Sequence, residues 1–303
     1  MPVATLDNRS TRNRRAPGLA DAPFVVVLGG ISATRDVNAW WPSIVGDHAP
    51  IDTRVFQVAG IDWQDGGRGE DGRPKRIVTT HDQADRLAAM LDSLGIESLH
   101  AIVGASYGGM VALAFADRYP TRVEQLVVIS APAETHPMST ALRSVQRRVV
   151  ELGLETNRAT DALSIARGLA TITYRSAAEF AQRFESAPVT LTSAGAEFPV
   201  ESYLKHQGEK FARSFAPERF LALSLSADLH RVTPENISTP AVFVGARTDT
   251  IVPIAQLDDL AARWGGFSRL VEIPARTGHD AFLAEPELVG PVINEAISQR
   301  IPA

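Results

Sequence analysis

One serine in this 303-residue chain stands in the setting that nucleophilic catalysis requires. Ser106 is the centre of Gly104-Ala105-Ser106-Tyr107-Gly108, a G-x-S-x-G pattern entered from the apolar run Leu99 to Val103. A strand that turns sharply into a helix lifts its serine hydroxyl clear of the sheet. The flanking glycines admit that turn because no Cβ crowds it. The following helix aims its N-terminus at the same point, which favours negative charge developing there. A glycine-rich turn without chemistry is the bland alternative, and the strand in front of it weighs against that alternative.

A serine hydroxyl needs a base, and the chain offers seven histidines. In the strand–elbow–helix architecture the acid and the base follow late strands, in the order serine, acid, histidine. Only His279, in Thr277-Gly278-His279-Asp280, comes after the last strand-like run, Leu270 to Ile273. The other six read as packed or solvated side chains. The acid is expected after the run Ala241 to Val244, which places Asp249 to orient the imidazole and stabilise its cation. Asp280 competes, but sequence neighbours rarely pair in the required geometry. Asp258 and Asp259 read as a solvated helix face. An oxyanion hole needs two donors. One is the backbone N–H of Tyr107; the other comes from Leu28-Gly29-Gly30-Ile31, where Gly30 and Ile31 stand as equal candidates. The competing reading of Gly29-Gly30 is a tight strand end.

The elements that must hold these residues follow from the pattern. Phe24 to Leu28, Arg54 to Val58, Leu99 to Val103, Val123 to Ile129, Ala241 to Val244 and Leu270 to Ile273 read as strands. Gln64 to Lys75 reads as a surface loop. Thr80 with Gln83 suggests a capping box opening a helix that ends at Gly95. Met110 to Tyr119, Ile254 to Trp264 and Glu285 to Gln299 read as further helices. Strand and helix alternate at a spacing that predicts an α/β fold with a mostly parallel sheet. Ala131 to Arg231 breaks the alternation. It holds amphipathic stretches (Ala141 to Leu152 and Ala159 to Thr173) and no strand ladder. The expected organisation is a flexible tail over residues 1–20, a core of 21–130 with 232–303, and a helical cap over 131–231.

Composition narrows the chemistry. The absence of cysteine excludes disulfides, thiolate metal sites and a cysteine nucleophile. A net charge of −5 argues against nucleic acid and anionic membranes as partners. No apolar run reaches the roughly 18 residues of a membrane span, and no signal-like segment opens the chain, so a cytoplasmic enzyme is expected. The basic segment Arg9 to Arg15 reads as part of the tail.

The residues so far describe serine-based acyl chemistry, with ester hydrolysis as the default. Four stretches shift that default, because together they resemble the homoserine O-acyltransferase family of the α/β-hydrolase superfamily. They are Gly104 to Met110 (GASYGGM); Ala166 to Ser176 (ARGLATITYRS); Val200 to Leu204 with Gly208 to Phe211; and Gly278 to Leu283 (GHDAFL). The resemblance covers about residues 24–300. It implies that Ser106, Asp249 and His279 form the triad and that Arg167 and Tyr174 line a substrate tunnel. It also implies that Asp280 meets the substrate amino group. A forked arginine contact suits a carboxylate, so Arg167 suits the other end of an amino acid. For Arg175 a second anion contact and a salt bridge within the cap are both open.

The implied function is acyl transfer from an acyl-CoA co-substrate to a hydroxy amino acid by a ping-pong route through acyl-Ser106. It needs no resident cofactor and no metal, and the resemblance implies a homodimer docked through the cap. Acetyl and succinyl donors, and homoserine and serine acceptors, are all open. A serine esterase or thioesterase using the same triad is the alternative, and a non-catalytic binding relative is the remote one. The chain departs from the family in lacking recognisable versions of the two strands that usually precede the first one here. Its stretch Leu28 to Ala33 also differs from the usual oxyanion sequence.

Overall fold

The computed structural model describes residues 22–299. The expected flexible tail over residues 1–20 lies outside them. Among the described residues a six-stranded sheet forms from β1 (Phe24–Leu28), β2 (Gln57–Ala59), β3 (Ala101–Ala105), β4 (Leu126–Ile129), β5 (Ala241–Ala246) and β6 (Ser268–Ile273). Its order is β6-β5-β4-β3-β1-β2, and every neighbouring pair is parallel. β1, β3, β4 and β5 are buried at every position, as continuous apolar runs require when helices cover both faces. Alternate residues divide between two cores. Val26, Leu28 and Ile102 face one side with Leu87 and Leu91 of α1 (Thr80–Leu94) and Val111 and Phe115 of α2 (Tyr107–Arg118). Val25, Val27 and Val103 face the other, against Trp41 and a later helix.

Between β4 and β5 the chain runs through α3 (Pro137–Glu155), α4 (Ala159–Tyr174), α5 (Ala177–Arg183), α6 (Pro199–Ala212) and α7 (Pro217–Asp228). These helices have a small core of their own in Val150, Leu163, Ala166, Phe220 and Leu221. After β5 come α8 (Ile254–Ala262) and, beyond β6, α9 (Pro286–Ser298), whose Val289 and Ile293 pack with Trp41. No helix among the described residues is long and apolar enough to cross a membrane.

Three local expectations are corrected. The capping box sits one residue earlier than Thr80 and Gln83: the Thr79 hydroxyl accepts from the Asp82 amide while the Asp82 carboxylate accepts from Thr79. Thr80 is instead buried against His230, and Gln83 bonds the backbone of Gln64. The second strand begins at Gln57 rather than Arg54, because Asp52 takes both the backbone N–H and the guanidinium of Arg54 and holds the chain in a turn. The stretch from Ala131 to Arg231 also contains a strand ladder, an antiparallel hairpin of Thr190–Thr192 with Gly195–Glu197. It is exposed on both faces and so leaves no apolar alternation to read.

The strand order positions the site. The chain passes from β1 to β2 on one side and then to β3 on the other. Connections leaving the carboxyl ends of β1 and β3 therefore diverge, which opens a crevice at that edge. Ser106 follows β3, and Gly30 and Ile31 follow β1. Asp249 and His279 follow β5 and β6 at the same edge.

Candidate active site

Ser106 is held in a strained backbone conformation, φ 54° and ψ −121°, which a residue with a Cβ rarely adopts. Its surroundings over-determine it. The Ser106 amide donates to the Ile129 carbonyl at 2.8 Å, and its carbonyl accepts from the amides of Gly109 and Met110. A Cβ on Gly108 would lie 2.3 Å from the Leu28 carbonyl oxygen. The glycine after the serine thus lets the elbow press against the end of β1. Tyr107 occupies the first helical position of α2, so its N–H has no intrahelical acceptor and is free for a ligand oxygen.

Three side chains from three loops form one hydrogen-bonded run. The Ser106 hydroxyl donates to His279 Nε2 at 2.8 Å. His279 Nδ1–H donates to Asp249 Oδ2, also at 2.8 Å. Asp249 Oδ1 accepts the amides of Ile251 and Val252 at 2.8 and 2.9 Å, which fixes the carboxylate from behind. Asp249 and His279 are 3% and 4% exposed, so solvent barely reaches the pair. Burial alone lowers the His279 pKa. The charge of Asp249 and its hydrogen bond, with Asp280 adding to them, outweigh burial and hold the imidazole above its usual 6.5.

That direction sets a pH dependence. A general base must be neutral, and a raised pKa keeps the imidazole protonated to higher pH. The acid limb of kcat/KM is therefore expected to inflect above 6.5. An initial-rate profile in the donor checks it, and an inflection below 6.5 contradicts it.

A cleft opens over Ser106, lined by Gly30, Ile31, Tyr107, His279 and Asp280 at the sheet edge and by Arg143, Arg167 and Tyr174 from the helices between β4 and β5. Of the residues singled out from the sequence, Ser106, Tyr107, Gly30, Ile31, His279, Asp280, Arg167 and Tyr174 line this cleft, while Asp249 lies behind the imidazole and Arg175 is outside the lining. The structure sets Asp249 on the imidazole, while Asp280 faces the cleft and lies 3.2 Å from Arg175 Nε. Arg175 thus forms ion pairs with both Glu179 of α5 and Asp280 beside the base. Arg167 stacks over the rings of Tyr174 and Phe211, 5.3 and 4.8 Å from their centroids, with no carboxylate partner among the described residues. Tyr174 in turn lies 5.7 Å, ring to ring, from His279.

Two features escaped the sequence reading. Arg143 lines the cleft, its Nε bonded to Asp228 at 2.7 Å, and its Nη2 is buried with no partner among the described residues. Asp228 is shared with Arg147 at 2.6 Å, so two arginines surround one carboxylate. An arginine in an amphipathic helix looks like a solvated face unless its buried acid partner is known, and Asp228 lies 85 residues away. Trp63 is the second. Its indole donates to the Gly30 carbonyl at 2.9 Å and its ring stands edge-on to Tyr107, which sets the turn after β1 beside the elbow. It lies in a polar, glycine-rich stretch that carried no signal.

A family model for the alpha/beta hydrolase fold matches residues 23–286. A homoserine O-succinyltransferase of Xanthomonas campestris pv. campestris is 35% identical, the alignment covering 98% of this chain and 82% of that protein. A homoserine O-acetyltransferase of Thermus thermophilus is 33% identical over 85% of this chain and 71% of its own. Among solved structures, a homoserine O-acetyltransferase from Bacillus anthracis superposes with a TM-score of 0.82 at 15% identity, covering 93% of this chain and 90% of that one, a likeness of fold.

Proposed function

Because the chain belongs to the homoserine O-acyltransferase family of the α/β-hydrolase fold, we propose that it moves an acyl group from acyl-CoA to the hydroxyl of homoserine through an ester on Ser106. The observation that carries this reading is the hydrogen-bonded run from Ser106 through His279 to Asp249 at the floor of a cationic cleft.

Two half-reactions follow. Ser106 Oγ attacks the thioester carbonyl as its proton passes to His279 Nε2. The oxyanion forms against the Tyr107 N–H and the amides of the Gly30–Ile31 turn. The C–S bond breaks, and CoA leaves with the proton from His279. The acceptor hydroxyl then gives its proton to His279 and attacks the acyl-serine, whose C–O bond breaks to return Ser106 with that proton. Asp249 holds the imidazole tautomer throughout. Water is the competing acceptor. A cap spanning roughly 131–231 over the cleft favours the bound hydroxyl by positioning and by excluding solvent.

The charges in the cleft suit one donor and one acceptor. Arg167, stacked and without an acid partner, fits the acceptor carboxylate, and Asp280 fits its ammonium. That leaves Arg143, whose unpartnered Nη2 asks for a second anion. A donor chain ending in a carboxylate supplies it, which favours succinyl-CoA over acetyl-CoA as the donor. The exposed Ile165 and Ile172, two turns apart on α4, support a homodimer docked through the cap.

The test compares donors. The wild-type chain is expected to release CoA from succinyl-CoA faster when homoserine is present, and to release it from acetyl-CoA poorly. Arg143→Leu should lower kcat/KM for succinyl-CoA about 10- to 100-fold, the worth of a charge-assisted hydrogen bond, while sparing acetyl-CoA. Equal losses for both donors refute the donor assignment. CoA release that ignores homoserine refutes the transferase and leaves a thioesterase.

A further inference from the structure

One cap segment is clasped between the two loops that carry the acid and the base. It is the end of α4, Thr173 to Ser176. The Thr250 hydroxyl donates to the Thr173 carbonyl at 3.2 Å, and the Ser176 hydroxyl donates to the Arg276 carbonyl. Gly278, at φ 74°, lies beneath it: a Cβ there would meet the Tyr174 carbonyl oxygen at 3.1 Å and the Ser176 nitrogen at 3.3 Å. The segment is therefore set directly against the His279 loop.

Within this clasp Arg175 lies behind Asp280 rather than in the cleft. Its side chain is 20% exposed. Nη1 donates to Glu179 Oε1 at 2.9 Å, and Nε stands 3.2 Å from Asp280 Oδ2. That second contact is an ion pair without hydrogen-bond alignment, and both Arg175 Nε and Glu179 Oε2 are buried polar atoms left without a hydrogen-bond partner among the described residues. Glu179 is also approached by Arg183 at 3.6 Å, but Arg183 is 46% exposed and screened by solvent. Partly buried between cap and core are thus two carboxylates around one guanidinium, short of one shielded positive charge. One of those carboxylates faces the cleft.

We infer that Arg175 is the positioning residue that makes the acceptor site select an ammonium. It holds Asp280 Oδ2 from behind and leaves the rest of the carboxylate open to the cleft. An ammonium arriving there supplies the missing charge, and a small turn of the carboxylate brings the Arg175 Nε–H into line. A hydroxy acid without the amino group leaves the deficit in place. This inference rests on the proposed acceptor site and names the group that tunes it.

The experiment measures kcat/KM for homoserine and for 4-hydroxybutanoate, which keeps the hydroxyl and carboxylate and lacks the amino group. It is run with succinyl-CoA on the wild-type chain, Arg175→Gln, Arg175→Lys and Asp280→Asn, alongside the rate of CoA release in the first turnover without acceptor. Arg175→Gln is expected to lower kcat/KM for homoserine about tenfold, mainly through KM, with 4-hydroxybutanoate and the first turnover unchanged. Arg175→Lys should recover most of the loss. An equal loss for both acceptors, or a slowed first turnover, means that Arg175 only holds the cap together and overturns the inference. If Asp280→Asn keeps the full preference for homoserine, the acceptor site itself is misassigned; if Asp280→Asn loses the preference and Arg175→Gln keeps it, the role given to Arg175 alone is wrong.

Discussion

Ser106→Ala is expected to lower acyl transfer to homoserine by about 10⁴- to 10⁶-fold, because removing the nucleophile of a triad removes the function of all its members. The side chain hydrogen-bonds to His279, so little else is disturbed. Alanine tolerates the φ of 54° no worse than serine does, and the melting temperature should barely move. Steady-state CoA release with both substrates present measures the loss. The outcome discriminates between mechanisms. If the acceptor hydroxyl attacked the thioester directly, with His279 as base, the alanine variant would keep most of its rate.

Asp249→Asn is expected to cost about 10⁴-fold in kcat with the fold intact. The reason lies in the two backbone amides. Asp249 Oδ1 accepts from Ile251 and Val252, and an asparagine keeps its carbonyl oxygen there because only an oxygen can accept both. Its NH₂ must then take the place of Oδ2 and donate to His279 Nδ1. The imidazole is forced to carry its proton on Nε2, where it can no longer take one from Ser106. Kinetics of purified Asp249→Asn test this, together with the ring-nitrogen shifts of His279. A variant that keeps wild-type kcat would show that the carboxylate does not set the tautomer.

What could be read without coordinates, and what could not, divides along physical lines. The buried strands announced themselves because a parallel sheet covered on both faces needs continuous apolar runs, and Phe24–Leu28 and Ala241–Ala246 are such runs. Ser106 was legible because the elbow needs glycine where Gly108 meets Leu28. His279 was legible from its order after the last strand. The misplaced capping box shows the limit of pattern alone. Thr79–Asp82 and Thr80–Gln83 both satisfy the same spacing, and the choice is made by His230 and Gln64, distant partners that draw Thr80 and Gln83 away. Arg143 was hidden for the same reason, since only the position of Asp228 turns a helix-face arginine into a buried cation facing a cleft. Trp63 gave no signal because its two contacts, an indole bond to the Gly30 carbonyl and an edge-on ring at Tyr107, join residues distant in sequence. Local chemistry is written in short patterns; the pairing that tunes it depends on the fold.

The proposed chemistry turns on a covalent ester on Ser106, which can be trapped. The protein is mixed with succinyl-CoA alone, quenched in acid, and its peptides are analysed by mass spectrometry. A succinyl adduct is expected on the peptide bearing Ser106, forming as CoA is released and disappearing, with O-succinylhomoserine appearing, when homoserine is added. Product formation at full rate with no adduct on Ser106 at any time, or an adduct that homoserine cannot discharge, would contradict it.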